Sequence, residues 1–346
     1  MKKTSLLTLT AVAAASMLAL AGCAPAAPAG STRACVILPD ADSGTRWEPG
    51  DRPALEAALT DAGFEADIQN AQSDTSKYAT IGDQMLTMGC GVMILVDYQG
   101  AGAAVAAKAK EQGIPVIAYD RPIEGADYYV SFDNTRVGEM QGQTVLDGLA
   151  AAGIDPTEAS VVFSSGDPAD GNAKMFYDGA VSVLTAAGVS PAFEMAGTWD
   201  GPTAGTAFEQ AYTKLNGKVD AVLAPNDNNA ANIIAILDKN GKTVPISGQD
   251  ASVAGLQNVL LGKQTATVYK PFKIEAAAAS ELAIQLLKGE APTVDKTLDD
   301  GTPFVALDPV LVTAANVKDV VAAGDAKAED ICTEAVADAC AANGVN

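Results

Sequence analysis

From Ala34 onward the chain repeats one pattern: a short apolar run, then an alanine-rich helical stretch that stops near a glycine. The runs are Cys35 to Leu38, Val92 to Val96, Val116 to Tyr119, Tyr128 to Phe132, Ser160 to Phe163, Ala221 to Ala224 and Val244 to Ser247. Between them a helical period places Leu55, Ala58 and Leu59 on one face before Gly63. Further helices are expected over Ala101 to Gly113, Val137 to Gly153, Ala173 to Gly188 and Ala204 to Gly217. Short apolar strands separated by helices predict an α/β fold, with a parallel sheet covered on both faces. No repeat of roughly 20–50 residues and no heptad interrupts the pattern.

The 346 residues exceed what one hydrophobic core ordinarily serves, about 250–300 residues, so two sheets are expected. Ligands of open α/β sheets bind beyond the carboxyl ends of the strands, which directs attention to the polar residues after each run. These are Asp40 to Trp47, Asp97, Asp120-Arg121, Asp133-Asn134, Asp167 to Asn172, Asn226-Asp227, Gln249-Asp250 and Lys270.

Charge and composition exclude several functions. With 43 Asp+Glu against 22 Lys+Arg the formal charge is −21, and there is no basic stripe, so a nucleic-acid partner is not expected. The chain has no histidine, which removes a Ser-His-Asp triad, an imidazole base and His-ligated zinc. It also lacks G-x-S-x-G, the P-loop pattern and a strand-linked G-x-G-x-x-G, and neither a cofactor nor a metal is expected.

At the N-terminus Lys2 and Lys3 precede an apolar stretch from Leu6 to Leu20 that ends in Leu20-Ala21-Gly22-Cys23. A Cys directly after Leu-Ala-Gly resembles the bacterial lipobox. That resemblance implies a signal peptide over 1–22, lipidation of Cys23, a tether over 23–32, and membrane contact only through the lipid. An ordinary secretory signal or a weak membrane helix is the alternative. The other four cysteines, Cys35, Cys90, Cys332 and Cys340, are an even number in an oxidising exterior compartment. If the strands at Cys35 and Val92 are parallel neighbours, Cys35 and Cys90 lie at one end of the sheet and can pair. Cys332 and Cys340 are near enough in sequence to pair with each other. Buried free thiols are the alternative.

The strand ends carry donors (Arg46, Arg121), acceptors (Asp120, Asp170, Asp250) and amides that are both (Asn172, Asn226), a mixture suited to the hydroxyls of a neutral polyol. Trp47 and Trp199, the only tryptophans, occupy polar loop contexts where an indole suits stacking on the C–H face of a pyranose. Each residue also has a plainer reading. Asp133, Asn134, Asn228 and Asn229 are expected as helix N-caps. Asp120 and Arg121 would suit a surface ion pair, and Trp47 a core plug.

Taken in order, Arg46-Trp47, Ala118-Tyr119-Asp120-Arg121, Ser131-Phe132-Asp133-Asn134, Asp170-Gly171-Asn172-Ala173, Asn226-Asp227, Ser247-Gly248-Gln249-Asp250-Ala251 and Val268-Tyr269-Lys270-Pro271 resemble the periplasmic sugar-binding proteins of ABC importers, in the xylose-binding and multiple-sugar-binding branch. The likeness runs from about Ala34 to about Lys318. It implies the type I fold of two Rossmann-like lobes joined by three hinge strands. The first lobe would take 33–134 and 270–304, the second 135–269 and 305–325, and a C-terminal tail 326–346. It further implies a monomer that closes on a monosaccharide and delivers it to an ABC permease and its ATPase. Arg46, Trp47, Asp120 and Arg121 would contact the sugar from the first lobe, and Asp170, Asn172, Trp199, Asn226, Asp250 and Lys270 from the second lobe and hinge. Two positions depart from the branch: Ser43 stands where some xylose binders carry an extra Arg, and Trp199-Asp200-Gly201-Pro202 lacks a second Trp.

Two rival classes remain. A glycosidase would need one of Asp120, Asp170, Asp227 and Asp250 as a protonated acid, whereas neighbouring Arg and amide groups favour ionised carboxylates, so no enzyme activity is expected. A sugar sensor read by a membrane receptor would use the same closed lobes.

Overall fold

The computed structural model describes residues 31–40, 46–292, 294 and 296–346. The expected signal peptide, Cys23 and Ser43 lie outside these residues.

The first lobe opens with β1 (Arg33–Leu38), α1 (Arg52–Asp61), β2 (Glu65–Asn70), α2 (Thr75–Met88), β3 (Val92–Leu95), α3 (Ala101–Glu111), β4 (Val116–Tyr119) and β5 (Tyr128–Phe132). The chain then crosses to the second lobe at Asp133. There it forms α4 (Asn134–Ala151), β6 (Val161–Phe163), α5 (Gly171–Ala186), β7 (Pro191–Glu194), α6 (Gly201–Lys214), β8 (Ala221–Leu223), α7 (Asp227–Lys239), α8 (Val253–Leu260) and β9 (Thr267–Tyr269). It returns through Lys270-Pro271 for α9 (Phe272–Leu287), β10 (Lys296–Thr297) and β11 (Pro303–Leu307). A third crossing at Asp308-Pro309 leads to β12 (Val310–Val312), α10 (Val317–Ala322), α11 (Ala328–Ile331) and α12 (Ala337–Asn343).

The seven-stranded first sheet has the order β10-β11-β5-β4-β3-β1-β2, parallel except for the β10–β11 pair. Its strands alternate strictly. Cys35, Ile37, Met93 and Leu95 face one core with α2 and α3, while Ala34, Val36, Leu38, Val92 and Ile94 face another with α1 and α9. The first sheet retains β11 through Leu307, three residues beyond the expected switch after Phe304, because Phe304 to Leu307 pair in register with Tyr129 to Phe132.

The second sheet is β7-β6-β8, all parallel, with β9 and β12 forming an antiparallel pair beside it. The run Val244 to Ser247 is not a strand and holds only a bridge from Ile246 to Val222. Pro245, which has no N–H to give a ladder, contributes its carbonyl to Val222 N instead. Helices α4 and α5 meet backbone to backbone: a Cβ on Gly138 would lie 2.0 Å from the Phe176 carbonyl oxygen, and one on Gly179 would lie 2.2 Å from that of Thr135. This contact joins the start of α4 to the middle of α5.

Both expected disulfides are present, Cys35–Cys90 and Cys332–Cys340, each with Cα atoms 5.8 Å apart. The C-terminal segment is not a loose polar tail. Ile331, Val336, Cys340 and Val345 are buried against Leu256, Val259 and Tyr269, and Gln257 Nε2 donates to the carbonyls of Asp330 and Ile331.

Candidate ligand cleft

The cleft is built where β4 and β5 of the first lobe end opposite the N-terminus of α5 in the second. Asp120, the first residue after β4, has φ 62°, a left-handed conformation that costs a non-glycine residue energy. Three donors on its carbonyl oxygen hold it there: Tyr129 Oη at 2.8 Å, Ser131 Oγ at 2.9 Å and Asn172 Nδ2 at 2.8 Å. The strained backbone turns the Asp120 carboxylate toward Arg46 and Lys270.

Arg46 is spent mostly on the protein. Nε donates to Asp51 Oδ2 at 2.8 Å, and Nη2 donates to Asp51 Oδ1 and to Glu275 Oε2, both at 2.6 Å. Nη1 donates to Asp120 Oδ2 at 3.0 Å. A guanidinium has five N–H groups, so among the described residues these bonds leave one Nη1 hydrogen unused. Burial works to lower the Arg46 pKa, but Asp51, Glu275 and Asp120 outweigh it and raise it well above its ordinary value. Burial likewise pushes Asp120 up, yet Lys270, Arg46 and Arg121 together bring it below the usual range, so it is ionised. Glu275, fully buried on α9, is pushed up to about 8 by burial, against the pull of Arg46.

Trp47 is a core plug rather than an open platform. The residue is 3% exposed, and its ring packs in the core under β1, β3 and β4 and lies beneath the guanidinium of Arg46 at 4.6 Å and that of Arg121 at 5.6 Å. It fixes the height of both arginines. Arg121 Nη1 donates to the Asp97 carbonyl at 3.0 Å, while its Nε lies 3.2 Å from Asp170 Oδ2 across the lobes.

On the second lobe Asp170 caps α5 through Oδ1, which accepts from Asn172 N at 2.9 Å, and its Oδ2 accepts from Trp199 Nε1 at 3.1 Å. Burial raises the Asp170 pKa although Arg121 opposes it. Trp199, half-buried, meets Phe176 edge to face. Asn172 joins the lobes: besides its bond to Asp120, its Oδ1 accepts from Asn134 Nδ2 at 2.9 Å and lies 3.0 Å from Tyr129 Oη.

Lys270, at the second crossing, sits 3.7 Å from Asp120 Oδ2 and 4.0 Å from Asp250 Oδ1, with its ammonium 5.4 Å from the centre of the Phe176 ring. The Asp250 side chain keeps 35% of its surface exposed in the cleft, whereas that of Lys270 keeps 5%. Asn226 is buried and caps α7, accepting from Asn229 N at 2.9 Å. Asn228 and Asn229 are not caps: they lie inside α7 and donate to the carbonyls of Trp199 and Thr198, tying that loop down. Asp133 is the cap of α4, while the neighbouring Asn134 is a buried bridge to Tyr129, Ser131 and Asn172.

Arg46, Asp120, Lys270 and Asp250 therefore form one charged chain, and Arg121, Asp170 and Trp199 a second, with Asn172 between them. Asp51 and Glu275, which anchor Arg46, stand out by no local signal. Asp51 ends a Trp-Glu-Pro-Gly-Asp turn, and Glu275 is one acid in an alanine-rich helix. Neighbouring amides do not keep every carboxylate acidic either: burial pushes Asp227 up to about 7 against its hydrogen bond from Gln264, and Asp250 adds to the rise. Paired charges with unused donors and acceptors suit a neutral molecule rich in hydroxyls, each of which both gives and takes a hydrogen bond.

Residues 35–291 match the profile of the periplasmic binding protein domain. The chain is 35% identical over 289 residues to a D-xylose-binding periplasmic protein of Escherichia coli (strain K12), covering 80% of this chain and 85% of that protein. It is 31% identical over 349 residues to a multiple sugar-binding periplasmic receptor of Rhizobium radiobacter, covering 92% and 97%. Among solved structures, an ABC transporter solute-binding protein from Clostridium phytofermentans with bound β-D-glucose superimposes with a TM-score of 0.78 at 28% identity, covering 86% of this chain and 99% of that one. These relatives are binding proteins, not enzymes.

Proposed function

The chain belongs to the periplasmic binding protein family, and from that premise we propose that it captures a pyranose monosaccharide between its lobes and delivers it to an ABC permease and its ATPase. D-Xylose and D-glucose are the first candidates. The observation that carries the reading is the chain Arg46–Asp120–Lys270–Asp250, which runs from the first lobe through the hinge to the second. A sugar bonded to Asp120 and Asp250 together engages both lobes and so favours the closed arrangement over the open one. The protein acts as a monomer, held at the outer face of the cytoplasmic membrane by a lipid on Cys23 or free in the periplasm.

A thermal-shift panel over D-xylose, D-glucose, D-galactose, L-arabinose and D-ribose tests the ligand class, because a ligand bound only by the folded state raises its stability by RT ln(1 + [L]/Kd). D-Xylose or D-glucose should raise the melting temperature most, and ribose least. A response to ribose alone, or to no monosaccharide, overturns the assignment. The receptor name of the Rhizobium radiobacter relative supports a second reading, a sugar sensor for a membrane signalling protein. Loss of sugar uptake in cells lacking the protein favours import, and unchanged uptake with loss of a sugar-induced response favours sensing.

A further inference from the structure

We infer that Asp227 is the positioning residue for Asp250, holding the loop Gly248-Gln249-Asp250-Ala251-Ser252 in the shape that presents the Asp250 carboxylate to the ligand; the inference rests on the monosaccharide reading above. The loop is strained, with two consecutive non-glycine residues at positive φ, Asp250 at 94° and Ala251 at 48°. Such a backbone persists only where its surroundings over-determine it.

Its entry is held by main-chain bonds, Asp227 N to the Gln249 carbonyl at 3.0 Å and Asp250 N to the Val268 carbonyl at 2.8 Å. Its exit is held by two side chains, the first being Thr267, whose Oγ1 accepts from Ala251 N at 3.1 Å. Ser252 N donates to Asp227 Oδ2 at 2.9 Å, while Gln264 Nε2 holds Oδ1 at 2.7 Å. The backbone leaves room for this carboxylate: a Cβ on Gly248 would lie 2.4 Å from Oδ1, and one on Gly255 would lie 2.0 Å from Oδ2. Asp227 is itself only 1% exposed, so it acts on a ligand through the loop and not by contact. An amide in its place turns one of these two acceptors into an NH2 group facing a donor, which breaks one bond and loosens the loop exit at Ser252, leaving Ala251 N on Thr267 Oγ1.

The experiment compares wild type, Asp227→Asn, Asp250→Asn and the double variant. Calorimetry with D-xylose and D-glucose is paired with hydrogen exchange of residues 248–252 in the free protein. Asp227→Asn should weaken sugar binding about tenfold, the double variant should bind no more weakly than Asp250→Asn alone, and residues 248–252 should exchange faster. Unchanged affinity, losses that multiply in the double variant, or unchanged exchange overturns the inference. Should Asp227→Asn not fold, Gly255→Ala replaces it: the carboxyl group stays, but a methyl group takes the place of Oδ2, and the same outcomes decide. If wild type binds neither sugar, the monosaccharide reading falls, and exchange at 248–252 alone decides the role of Asp227.

Discussion

Arg121 Nε lies 3.2 Å from Asp170 Oδ2, and this ion pair joins the residues after β4 in the first lobe to the cap of α5 in the second. Both side chains are about nine-tenths buried, so the pair is shielded from the solvent screening that makes exposed pairs weak. Arg121→Ala leaves the buried Asp170 carboxylate, among the described residues, with the Trp199 and Asn172 donors. A lost charge-assisted bond of about 1.5–3 kcal/mol should weaken sugar binding at least tenfold, as read by calorimetry. Wild-type affinity in this variant would show that the arginine stands outside the ligand site.

Stability should fall as the pH rises through the neutral range. Burial raises Asp227 to about 7 and Glu275 to about 8, from ordinary values of 3.8 and 4.5. Between the unfolded and folded values the native state holds more protons than the unfolded chain, so the slope of stability against pH is negative there. Urea unfolding at pH 5, 6, 7 and 8 measures it, and the Asp227→Asn, Glu275→Gln double variant should flatten the slope. A stability that climbs over this range contradicts the assignment.

The two disulfides should differ in weight. Cys35–Cys90 spans 55 residues and Cys332–Cys340 spans 8. On the chain-entropy account the first contributes about 4 kcal/mol and the second about 2.5 kcal/mol. Paired Cys→Ala replacements followed by denaturant titration should rank them in that order, and equal losses would favour an enthalpic origin.

Truncation after Asp325 should destabilise the second lobe. It removes Ile331, Val336 and Val345, each buried, and at about 1.5–3 kcal/mol per side chain the melting temperature should drop by about 10 °C or more. An unchanged melting temperature would mean that the segment only rests on the lobe.

Much of the architecture could be read from residue order because burial leaves a periodic trace. Strands β1, β3, β4 and β5 are apolar on both faces, since helices cover both, and each is recognisable as a run. Strands β2 (Glu-Ala-Asp-Ile-Gln-Asn) and β7 (Pro-Ala-Phe-Glu) were not recognisable, because each lies at a sheet edge where polar residues are tolerated. The rule that ligands gather beyond strand ends likewise pointed to Asp120, Arg121, Asp170, Asp250 and Lys270, which the fold brings together between the lobes. Local pattern could not say which polar groups bond to the protein. Arg46 meets Glu275 across 229 positions of chain, and Asn172 meets Asp120 across 52. The first pairing depends on the return of α9 to the first lobe and the second on how the two lobes sit against each other, so Trp47 became a support for two arginines and Asn172 a link between lobes. Helix and strand periods arise from neighbours a few residues apart and are written locally. The partner of a buried charge is selected by desolvation and geometry in the assembled fold, which no local period records.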